Sequence, residues 1–248
     1  MERKDRQYLV IDQKSYYATV ECVCRGLDPM KANLVVADPE RSQNTICLAV
    51  SPNMKKLGVK NRCRVKDIPP NIKYITAPPR MQLYIDCAAE IHGVFLKYIA
   101  PEDIYTYSID ESFIDVTNYL KMYNMTAKQL AKTIIEDVRN TVGTVSTCGI
   151  GTNMYLAKVA LDIMAKHAPD FIAELDEESY HEKLWDHKPL TDFWRIGPGT
   201  EKKLRNHGLT SMRDITLCND DLLYSWFGID AELLIDHAWG REPTTIAD

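Results

Sequence analysis

The order of the apolar runs limits the fold of this chain more than any other feature of the sequence. Residues 8–11, Tyr-Leu-Val-Ile, are typical of a buried strand, and residues 16–24 are predicted to follow as a helix. Apolar residues then recur at helical spacing from Met81 to Tyr98, and Pro101 ends that helix. The pattern therefore begins with one strand and one long helix, separated by an interruption.

Two more strands, a second helix and a last strand complete the pattern. Residues 104–108 and 113–117 are strand-like and separated by a few residues, as in a hairpin. Residues 126–129, Thr-Ala-Lys-Gln, form a capping box that opens a helix ending at Gly143, and residues 144–151 are the next strand. The order strand, helix, strand, strand, helix, strand predicts an α+β fold with the βαββαβ sheet of ferredoxin-like proteins.

An insertion and a tail accompany this sheet. Residues 33–79 combine short β-like runs with many turn residues, which predicts a small inserted subdomain. From about residue 171 the sequence is typical of short helices, with no clear strand after residue 175. The predicted divisions are a sheet domain at residues 1–14 and 80–172, an insertion at 15–79, an all-helical tail at 173–243 and a linker stub at 244–248.

The composition is that of an ordinary globular protein, with 45% hydrophobic and 26% charged residues among 248. No stretch approaches the roughly 20 apolar residues of a membrane helix, and the N-terminus does not resemble a secretory signal. The seven cysteines are scattered without a Cys-x-x-Cys pair, which is typical of reduced thiols. We therefore expect a cytoplasmic protein with no membrane segment and no cysteine-bound metal cluster.

Charge is unevenly distributed along the chain. The net charge of −5 counts against a nucleic-acid partner. Between Met54 and Lys66, however, several cationic side chains occur without an acid among them, namely Lys55, Lys56, Lys60, Arg62, Arg64 and Lys66. Such a run is either a solvated face or a surface for nucleic acid, and by itself it favours the solvated face.

Three carboxylates are predicted to meet at one edge of the sheet. Asp110 and Glu111 are adjacent, and adjacent residues of a regular strand point to opposite faces, so the two can converge only at the tip of the hairpin. Asp12 ends the first strand, which neighbours the third strand in the ferredoxin-like order and thus ends beside that tip. The alternatives are ordinary turn chemistry for the pair and helix capping for Asp12, a role that Ser15 fills equally well.

Carboxylates gathered in this way repel one another unless a cation lies among them. Mg²⁺ prefers oxygen ligands and is typically bound by a few carboxylates together with substrate phosphates. A pair of such ions can activate an attacking hydroxyl and neutralise a leaving pyrophosphate. The grouping of Asp12, Asp110 and Glu111 therefore indicates metal-dependent nucleotide chemistry.

The helical tail contains a second recognisable pattern. Residues 195–200, Arg-Ile-Gly-Pro-Gly-Thr, precede a basic segment and are typical of a helix-hairpin-helix. Glycines let a DNA backbone approach, and amides at the start of a helix bind a phosphate. A Gly-Pro-Gly turn between helices can equally be structural. The predicted DNA contacts are Gly197, Gly199, Thr200 and Lys202.

Several of these segments resemble motifs of the Y-family (translesion) DNA polymerases of the bacterial UmuC and DinB type. Residues 11–21, Ile-Asp-Gln-Lys-Ser-Tyr-Tyr-Ala-Thr-Val-Glu, are similar to the first motif, and residues 107–115, Tyr-Ser-Ile-Asp-Glu-Ser-Phe-Ile-Asp, to the Ser-Ile-Asp-Glu motif. The resemblance continues through residues 149–158, Gly-Ile-Gly-Thr-Asn-Met-Tyr-Leu-Ala-Lys, and into the tail. Residues 49–58, Ala-Val-Ser-Pro-Asn-Met-Lys-Lys-Leu-Gly, are nearer to the UmuC-like branch.

The resemblance implies a catalytic core in which the sheet domain is a palm, the insertion is a set of small fingers and the tail is a thumb. It implies a template-directed DNA polymerase for translesion synthesis, DNA repair and the SOS response, with primer–template DNA and dNTP as partners. A sliding clamp is expected to bind through a region outside this chain, and the family's little-finger domain is not expected within it. The alternatives are a palm-fold nucleotide cyclase and a non-catalytic DNA-binding regulatory module.

The resemblance also implies the roles of single residues. Asp12, Asp110 and Glu111 are the expected catalytic ligands of two Mg²⁺ ions, for which Mn²⁺ can substitute. The backbone carbonyl of Gln13 is the expected further ligand. All four residues lie within or beside the two most diagnostic motifs.

The nucleotide-binding residues are implied in the same way. Tyr17 falls at the steric-gate position, where a ring excludes a 2′-hydroxyl, and Tyr16 is its neighbour at the nucleotide. Lys158 falls at the position of the triphosphate-binding lysine. Without the motif, two adjacent tyrosines at a helix start favour core packing, and a single lysine on a helix is a solubilising group.

Two positions depart from the family pattern. Lys14 stands where many DinB-type members have a second acid, so it is not counted as a ligand. Pro52 and Lys55 stand where a tyrosine and an arginine often grip the triphosphate. Lys55 supplies charge there, but it lacks the bidentate fork of an arginine.

Overall fold

The computed structural model describes residues 6–38 and 40–248. Its strands are β1 (Tyr8–Gln13), β2 (Leu34–Val36), β3 (Ala49–Val50), β4 (Ile75–Ala77), β5 (Ile104–Thr106), β6 (Glu111–Asp115), β7 (Ser146–Gly151) and β8 (Ile172–Leu175). Its α-helices are α1 (Tyr16–Cys24), α2 (Pro52–Lys56), α3 (Met81–Phe95), α4 (Tyr119–Tyr123), α5 (Ala127–Val142), α6 (Met154–Val159), α7 (Glu177–Leu184), α8 (Pro198–Asn206), α9 (Met212–Leu217), α10 (Asp220–Phe227) and α11 (Asp230–Ala238). Shorter turns are a π-helical turn at Ala160–Met164 and 3₁₀ turns at Val65–Asp67, Pro101–Asp103, Ala165–His167 and Leu190–Asp192. Residues 1–5 lie outside the described residues. The predicted start of the sheet domain and the expected absence of a secretory signal both concern those residues.

One five-stranded sheet forms the centre of the molecule, in the order β5-β6-β1-β7-β8. Its central strand β1 is antiparallel to β6 on one side and to β7 on the other. The first and third strands of the predicted pattern, β1 and β6, are therefore neighbours, as the ferredoxin-like order requires. Strand β8 lies parallel to β7 and extends the sheet. The predicted boundary at residues 172 and 173 thus falls inside β8, and the sheet runs on to Leu175.

Alternate residues of β1 enter two different cores, because successive side chains of a strand point to opposite faces. Leu9 and Ile11 pack into the core that contains residues of α3 and α5. Tyr8 and Val10 pack on the other face, against α6 and the π-helical turn. By the same alternation, Asp12 belongs to the α6 face.

Helix α6 approaches strand β7 more closely than any residue but glycine permits. A Cβ atom added at Gly149 would lie 2.0 Å from the carbonyl oxygen of Ala157, and one at Gly151 would lie 2.2 Å from the amide nitrogen of that residue. These glycines, which belong to one of the family-like motifs, therefore serve packing. The close approach brings Lys158, the next residue of α6, onto the sheet face that carries Asp12.

The predicted insertion contains a separate three-stranded sheet in the order β3-β2-β4. Its small core includes Val35, Val50 and Met54. Strand β4, which pairs parallel to β2, is not among the predicted strands. Helix α1 has the bounds that the sequence predicts, but its buried residues pack in the main core. That core also includes Leu34 and Val36 of β2, and α1 contacts β2 and β3, so the helix packs against the three-stranded sheet with which the predicted division groups it.

The helices that follow β8 enclose a second large core, which includes Tyr180, Phe193 and Leu204. No strand follows Leu175 in the described residues, in agreement with the prediction of a helical tail. The expected first helix of the helix-hairpin-helix is a single 3₁₀ turn, Leu190–Asp192, from which the chain passes through the glycines into α8. The motif is therefore a turn and one helix.

The cysteines of the chain are all free thiols. Burial raises the pKa of Cys148 far above its ordinary value, which makes that thiol an inert packing group. Across residues 6–38 and 40–248, no helix combines the length and the apolar character that a bilayer span requires.

Candidate active site

The carboxylates of Asp12 and Glu111 belong to residues that face each other across two paired strands. Asp12 is the second-last residue of β1 and lies opposite Glu111, the first residue of β6. The next residue of β1, Gln13, donates its amide N–H to the carbonyl oxygen of Asp110 at 2.9 Å. Directly opposed residues of an antiparallel pair share a face. Asp12 and Glu111 therefore lie on the face of the sheet that α6 covers.

The hairpin brings the acids together in a way that differs from the prediction. Only Asp110 lies in the turn between β5 and β6, where its Oδ1 accepts a hydrogen bond from Ser108 Oγ at 2.8 Å. Glu111 is already part of β6 and is buried. Strand pairing therefore aligns Asp12 with Glu111, and Asp110 joins them from the turn.

A cavity of about 770 Å³ opens at this edge of the sheet. Asp12 and Asp110 line one part of it, together with Tyr16 and Tyr17 from the start of α1. The cationic residues that line it are Lys14, Lys55, Lys56, Arg62 and Lys166. Ligand-binding cavities typically measure about 300–1,000 Å³, so this one has the size for a nucleotide-sized ligand, with an acidic end and a basic wall.

The acidic end of the cavity is electrostatically unfavourable for its own carboxylates. Burial raises the pKa of Asp12 to about 6; Lys166 opposes this rise, while Asp110 and Glu111 add to it. A charged Asp12 therefore costs free energy in the fold. A cation placed between these oxygens would remove that cost.

The cationic side chains of the cavity are close enough to disfavour one another's charge. Burial lowers the pKa of Lys14, and the nearby ammonium group of Lys166 lowers it further. Burial likewise lowers the pKa of Lys55, with Lys14 adding to the effect. The Lys14 ammonium group also lies 4.6 Å from the centre of the Phe171 ring. Desolvated ammonium groups this close together favour the binding of a polyanion.

Lys158, the predicted triphosphate contact, does not line this cavity. Its Nζ lies 2.8 Å from Glu111 Oε1 and 2.9 Å from Asp162 Oδ2, and its side chain is 8% exposed. Burial alone would lower the pKa of Lys158, but Asp162 and Glu111 together hold it above its ordinary value. For Glu111, burial raises the pKa and Lys158 opposes the rise. The ammonium group is thus committed to two carboxylates and holds Glu111 in place.

The lysine that reaches the cavity from this segment is Lys166. Its Nζ lies 2.7 Å from Asp162 Oδ1, so Asp162 bridges Lys166 and Lys158. The intervening π-helical turn, Ala160–Met164, is of a kind that is frequent at functional sites. Sequence reasoning missed Lys166 because the recognised motif stops at Lys158. The available signal was the four-residue spacing of lysine, aspartate and lysine, which places all three on one helical face.

The residues that could hold a metal lie at the edge of the sheet. In the part of the chain that the structure describes, no three His, Cys, Asp or Glu side chains form a ready-made metal site. Glu111 accepts a hydrogen bond from Lys158 at its Oε2, at 2.9 Å, whereas its buried Oε1, although 2.8 Å from the same ammonium group, has no hydrogen-bond partner among the described residues and is open to a cation. Asp12 and Asp110 remain on the cavity wall, and their oxygen-only chemistry suits Mg²⁺, which completes its shell with water and phosphate oxygens.

Gln13 lies beside these two carboxylates on the cavity wall. Its side chain is buried, and its Oε1 accepts hydrogen bonds from Thr144 Oγ1 at 2.9 Å and from Ser146 Oγ at 3.0 Å. These contacts fix the position of the residue whose backbone carbonyl is the predicted ligand. The side chain itself is engaged elsewhere.

The two tyrosines at the start of α1 have different surroundings. Tyr16 is buried and donates its hydroxyl to the carbonyl oxygen of Tyr84 at 2.6 Å. Tyr17 is half-buried, lines the cavity and stacks on the Tyr84 ring with 4.5 Å between centroids and 16° between planes. Both tyrosines line the cavity, but the Tyr16 hydroxyl is engaged in the core, whereas the Tyr17 ring forms one face of the site.

The predicted DNA contacts lie together at the start of α8. Gly197 caps this helix, and Gly199 lies in its first turn. Both glycines are exposed, and a Cβ atom added at either would meet nothing within 4 Å. Thr200 is half-buried in the same turn, and Lys202 is exposed. The helix start is therefore open to a phosphate backbone.

Comparison with known proteins adds evidence that is independent of this geometry. A sequence model of the impB/mucB/samB family matches residues 11–162. UvrX, a protein of Bacillus subtilis (strain 168) named for UV-damage repair, is 34% identical over 242 residues, which cover 97% of this chain and 57% of UvrX. DNA polymerase IV 2 of the same strain is 29% identical over 235 residues, covering 93% of this chain and 55% of that protein. The chain thus spans little more than half the length of these curated relatives.

A solved structure has the same fold. The crystal structure of DinB from Sulfolobus solfataricus matches with a TM-score of 0.77 and 24% sequence identity. The match covers 96% of this chain and 68% of that protein. At this identity the likeness is one of fold, and it extends over nearly all of the chain.

Proposed function

The chain belongs to the impB/mucB/samB family, and we propose that it is the catalytic core of a template-directed DNA polymerase. The reaction transfers a nucleotide from a dNTP to the 3′-hydroxyl of a primer. The observation that carries the proposal is the cavity that Asp12 and Asp110 line together with several cationic side chains. Phosphoryl transfer needs these two elements side by side, acids for a metal and cations for a triphosphate.

The donor set fits a divalent cation. Asp12, Asp110 and the backbone carbonyl of Gln13 would hold Mg²⁺, with two ions in the full site and Mn²⁺ as a substitute. When bound, the ions supply charge stabilisation to the transferred phosphoryl group and favour ionisation of the attacking hydroxyl. Glu111 would be a further ligand through its Oε1, which has no hydrogen-bond partner among the described residues, while its Oε2 accepts from Lys158.

The basic wall provides the contacts for the triphosphate. Lys166, Lys55 and Lys14 line the cavity and would neutralise the phosphate oxygens. Lys158 has a different role in this proposal, because it holds Glu111 at the sheet edge. The proposed nucleotide site therefore contains Lys55, which the sequence analysis named, together with Lys14 and Lys166.

The sugar and base would lie against α1. The Tyr17 ring forms one face of the cavity and is the proposed steric gate, which admits a deoxyribose and excludes a 2′-hydroxyl. Tyr16 supports this segment from within the core. Discrimination by exclusion needs a ring that is held in place, and the stack of Tyr17 on Tyr84 supports that requirement.

The remaining parts of the chain correspond to the subdomains of such a core. The five-stranded sheet would be the palm, the three-stranded sheet the fingers and the helices after Leu175 the thumb. Gly197, Gly199, Thr200 and Lys202 would contact phosphates of primer–template DNA, which positions the duplex without reading its sequence. A role in translesion synthesis, DNA repair and the SOS response accords with the name of UvrX. Contact with a sliding clamp through a region outside this chain, and a cytoplasmic location, stay predictions.

Primer extension is the experiment that tests this proposal. The wild-type chain, supplied with primed DNA, all four dNTPs and Mg²⁺ or Mn²⁺, should lengthen the primer, and a chelator should stop the reaction. Formation of a cyclic nucleotide without DNA would identify a cyclase instead. Binding of DNA without extension would identify a non-catalytic module, and either result would overturn the proposal.

A further inference from the structure

A fully buried carboxylate lies one helical turn behind the cavity. Glu21 follows Tyr17 by four residues on α1, so the two side chains share a face of the helix. The Glu21 side chain has no exposed surface. Glu21 lines neither the cavity nor its acidic end. A buried carboxylate is retained only when donors surround it.

Both oxygens of Glu21 are engaged from the neighbouring helix α3 and from α1 itself. Arg80, which precedes α3, donates from Nε to Oε1 at 3.0 Å and from Nη2 to Oε2 at 2.7 Å. Arg25 donates to Oε2 from the end of α1. The hydroxyl of Tyr84 donates to Oε1 at 2.7 Å. The carboxylate therefore joins α1 to α3 at a fixed separation.

Tyr84 connects this carboxylate to the cavity. Its side chain is fully buried, and its ring is the one on which Tyr17 stacks. Its carbonyl oxygen accepts the hydroxyl of Tyr16. Since Glu21 holds the hydroxyl and Tyr17 covers the face of the ring, the Tyr84 ring has a single position, and the Tyr17 ring rests against it.

We propose that Glu21, acting through Tyr84, is a positioning residue for sugar selection. The Tyr84 ring is a fixed support behind the Tyr17 ring, and it prevents Tyr17 from yielding when a 2′-hydroxyl presses on it. This inference rests on the proposed polymerase function and on Tyr17 as its steric gate. It adds to them a device that lies outside the cavity and makes no contact with the nucleotide.

The alternative is that Glu21 serves only to join two helices. Buried ion networks can often be replaced by apolar side chains of similar volume without loss of stability. An apolar replacement would join the helices but could not hold the Tyr84 hydroxyl. The two roles therefore predict different results for a variant that keeps the packing and removes only the hydrogen bond.

The test is the ratio of kcat/KM for a dNTP to that for the matching rNTP in primer extension. Tyr17→Ala sets the scale, because it should abolish most of the selectivity. Tyr84→Phe should lower the ratio about tenfold or more, the scale of losing one hydrogen bond to a charged group, with most of the change in the rNTP term. Glu21→Gln keeps an amide oxygen that can accept from the Tyr84 hydroxyl, so it should lower the ratio by a smaller factor. Because both substrates are measured on one preparation, an unfolded fraction cancels from the ratio.

Tyr98→Phe is the matched control. It also removes a tyrosine hydroxyl that donates to a carboxylate, Asp137 Oδ2 at 3.1 Å, but beyond the C-terminal end of α3. It should leave the ratio unchanged. If Glu21→Gln fails to fold, Tyr84→Phe still tests the positioning role, because it removes a single oxygen atom and keeps the packing of the ring.

The results separate this inference from the proposed function. A folded Tyr84→Phe variant with wild-type selectivity, or an equal loss of selectivity in Tyr98→Phe, would overturn the positioning role while leaving the polymerase proposal intact. A wild-type chain that incorporates neither substrate would overturn both. Lower selectivity in Tyr84→Phe and Glu21→Gln alone would support the positioning role.

Discussion

Helix α1 links two acidic regions whose charge is balanced in different ways. One turn along the helix from Tyr17, Glu21 accepts hydrogen bonds from Arg80, Arg25 and Tyr84. At the edge of the cavity, Asp12 lies near Asp110 and Glu111, and Lys166 offsets only part of the effect of its burial. Asp12 and Glu21 belong to the same family-like motif, yet only the Glu21 carboxylate has a full set of donors.

The pKa values of the two regions record this difference. Burial alone would raise the pKa of Glu21, but its donors, Arg80 first among them, hold it below the ordinary value. Burial raises the pKa of Asp12 to about 6, because Lys166 offsets only part of the effect and Asp110 and Glu111 add to it. A carboxylate with its full set of donors stabilises a fold, whereas one left among like charges indicates a ligand. The comparison assigns structure to Glu21 and chemistry to Asp12 and Asp110.

The largest expected effect would come from removing an acid of the cavity. Asp110→Ala should abolish primer extension, because losing metal-borne charge stabilisation costs on the order of a thousand-fold in rate or more. Its free energy of unfolding should stay equal or rise, since a like charge near Asp12 is removed. Near-normal extension by an Asp110→Ala variant that is folded by its denaturation curve would show that Asp110 is not a catalytic ligand. Extension is followed in gels.

The opposite pattern is expected for the paired acid. Glu21→Gln should lower the free energy of unfolding by about 2 kcal/mol, below the 3–5 kcal/mol typical of a broken buried pair because Arg80 is 46% exposed. It should retain deoxynucleotide addition. Urea denaturation provides the measurement, and Glu136→Gln, at a solvent-exposed pair with Lys132, is the control expected to change little. Equal stability of Glu21→Gln and wild type would remove the structural role.

The pH dependence of stability sharpens the same contrast. Because its pKa is lowered on folding, Glu21 contributes stability fully above its unfolded pKa of about 4.3 and loses it as pH falls through the lower folded value. The stability difference between wild type and Glu21→Gln should therefore be constant near neutral pH and shrink below about pH 4. Denaturation curves at several pH values measure it, and a difference that grows on acidification has the wrong sign for this account.

Lys158 and Lys166, which Asp162 links, should likewise differ in whether their removal affects stability or nucleotide binding. Lys166→Ala should raise the KM for dNTP about tenfold, the scale of one charge-assisted contact, with little change in stability. Lys158→Ala leaves Glu111 buried without its partner, so it should lower the free energy of unfolding as well as kcat. Steady-state kinetics and denaturation on both variants give the comparison, and a selective KM effect in Lys158→Ala would restore the role that its motif implies.

The smallest expected effect concerns the thumb. Lys202→Ala should weaken binding to primer–template DNA by a similar factor on every sequence and reduce the slope of log K against log salt by about 1. Lys132→Ala, an exposed lysine on α5, is the control. A titration at several salt concentrations measures the slope, and an unchanged slope for Lys202→Ala would exclude this contact.

The sequence predicted those features that depend on local pattern. The bounds of α1, the capping box of α5 and the neighbouring places of β1 and β6 follow from periodicity and topology, and the structure confirms them. The family implied by the two motifs is confirmed by the match over residues 11–162. Asp12 and Glu111 could be placed together because strand order alone decides that neighbourhood.

What the sequence did not predict depends on contacts between distant segments. The sequence analysis assigned most of β8 to the helical tail, and only the pairing of β8 with β7 makes it part of the sheet. Lys158 and Lys166 lie on one broad face of a helical wheel, and the packing of α6 decides which of them meets Glu111. Two of the partners of Glu21, Arg80 and Tyr84, come from a segment some 60 positions away, so neither the burial of Glu21 nor its link to Tyr17 is visible in the motif.

Single-nucleotide addition on four primed templates, which differ only in the first unpaired base, shows whether the template directs the reaction at this site. If Asp12 and Asp110 form a template-directed polymerase site, each template should direct addition of its complementary dNTP, and Asp110→Asn should add none while unfolding like the wild type. Addition that ignores the template base, or that survives in Asp110→Asn, would contradict the account.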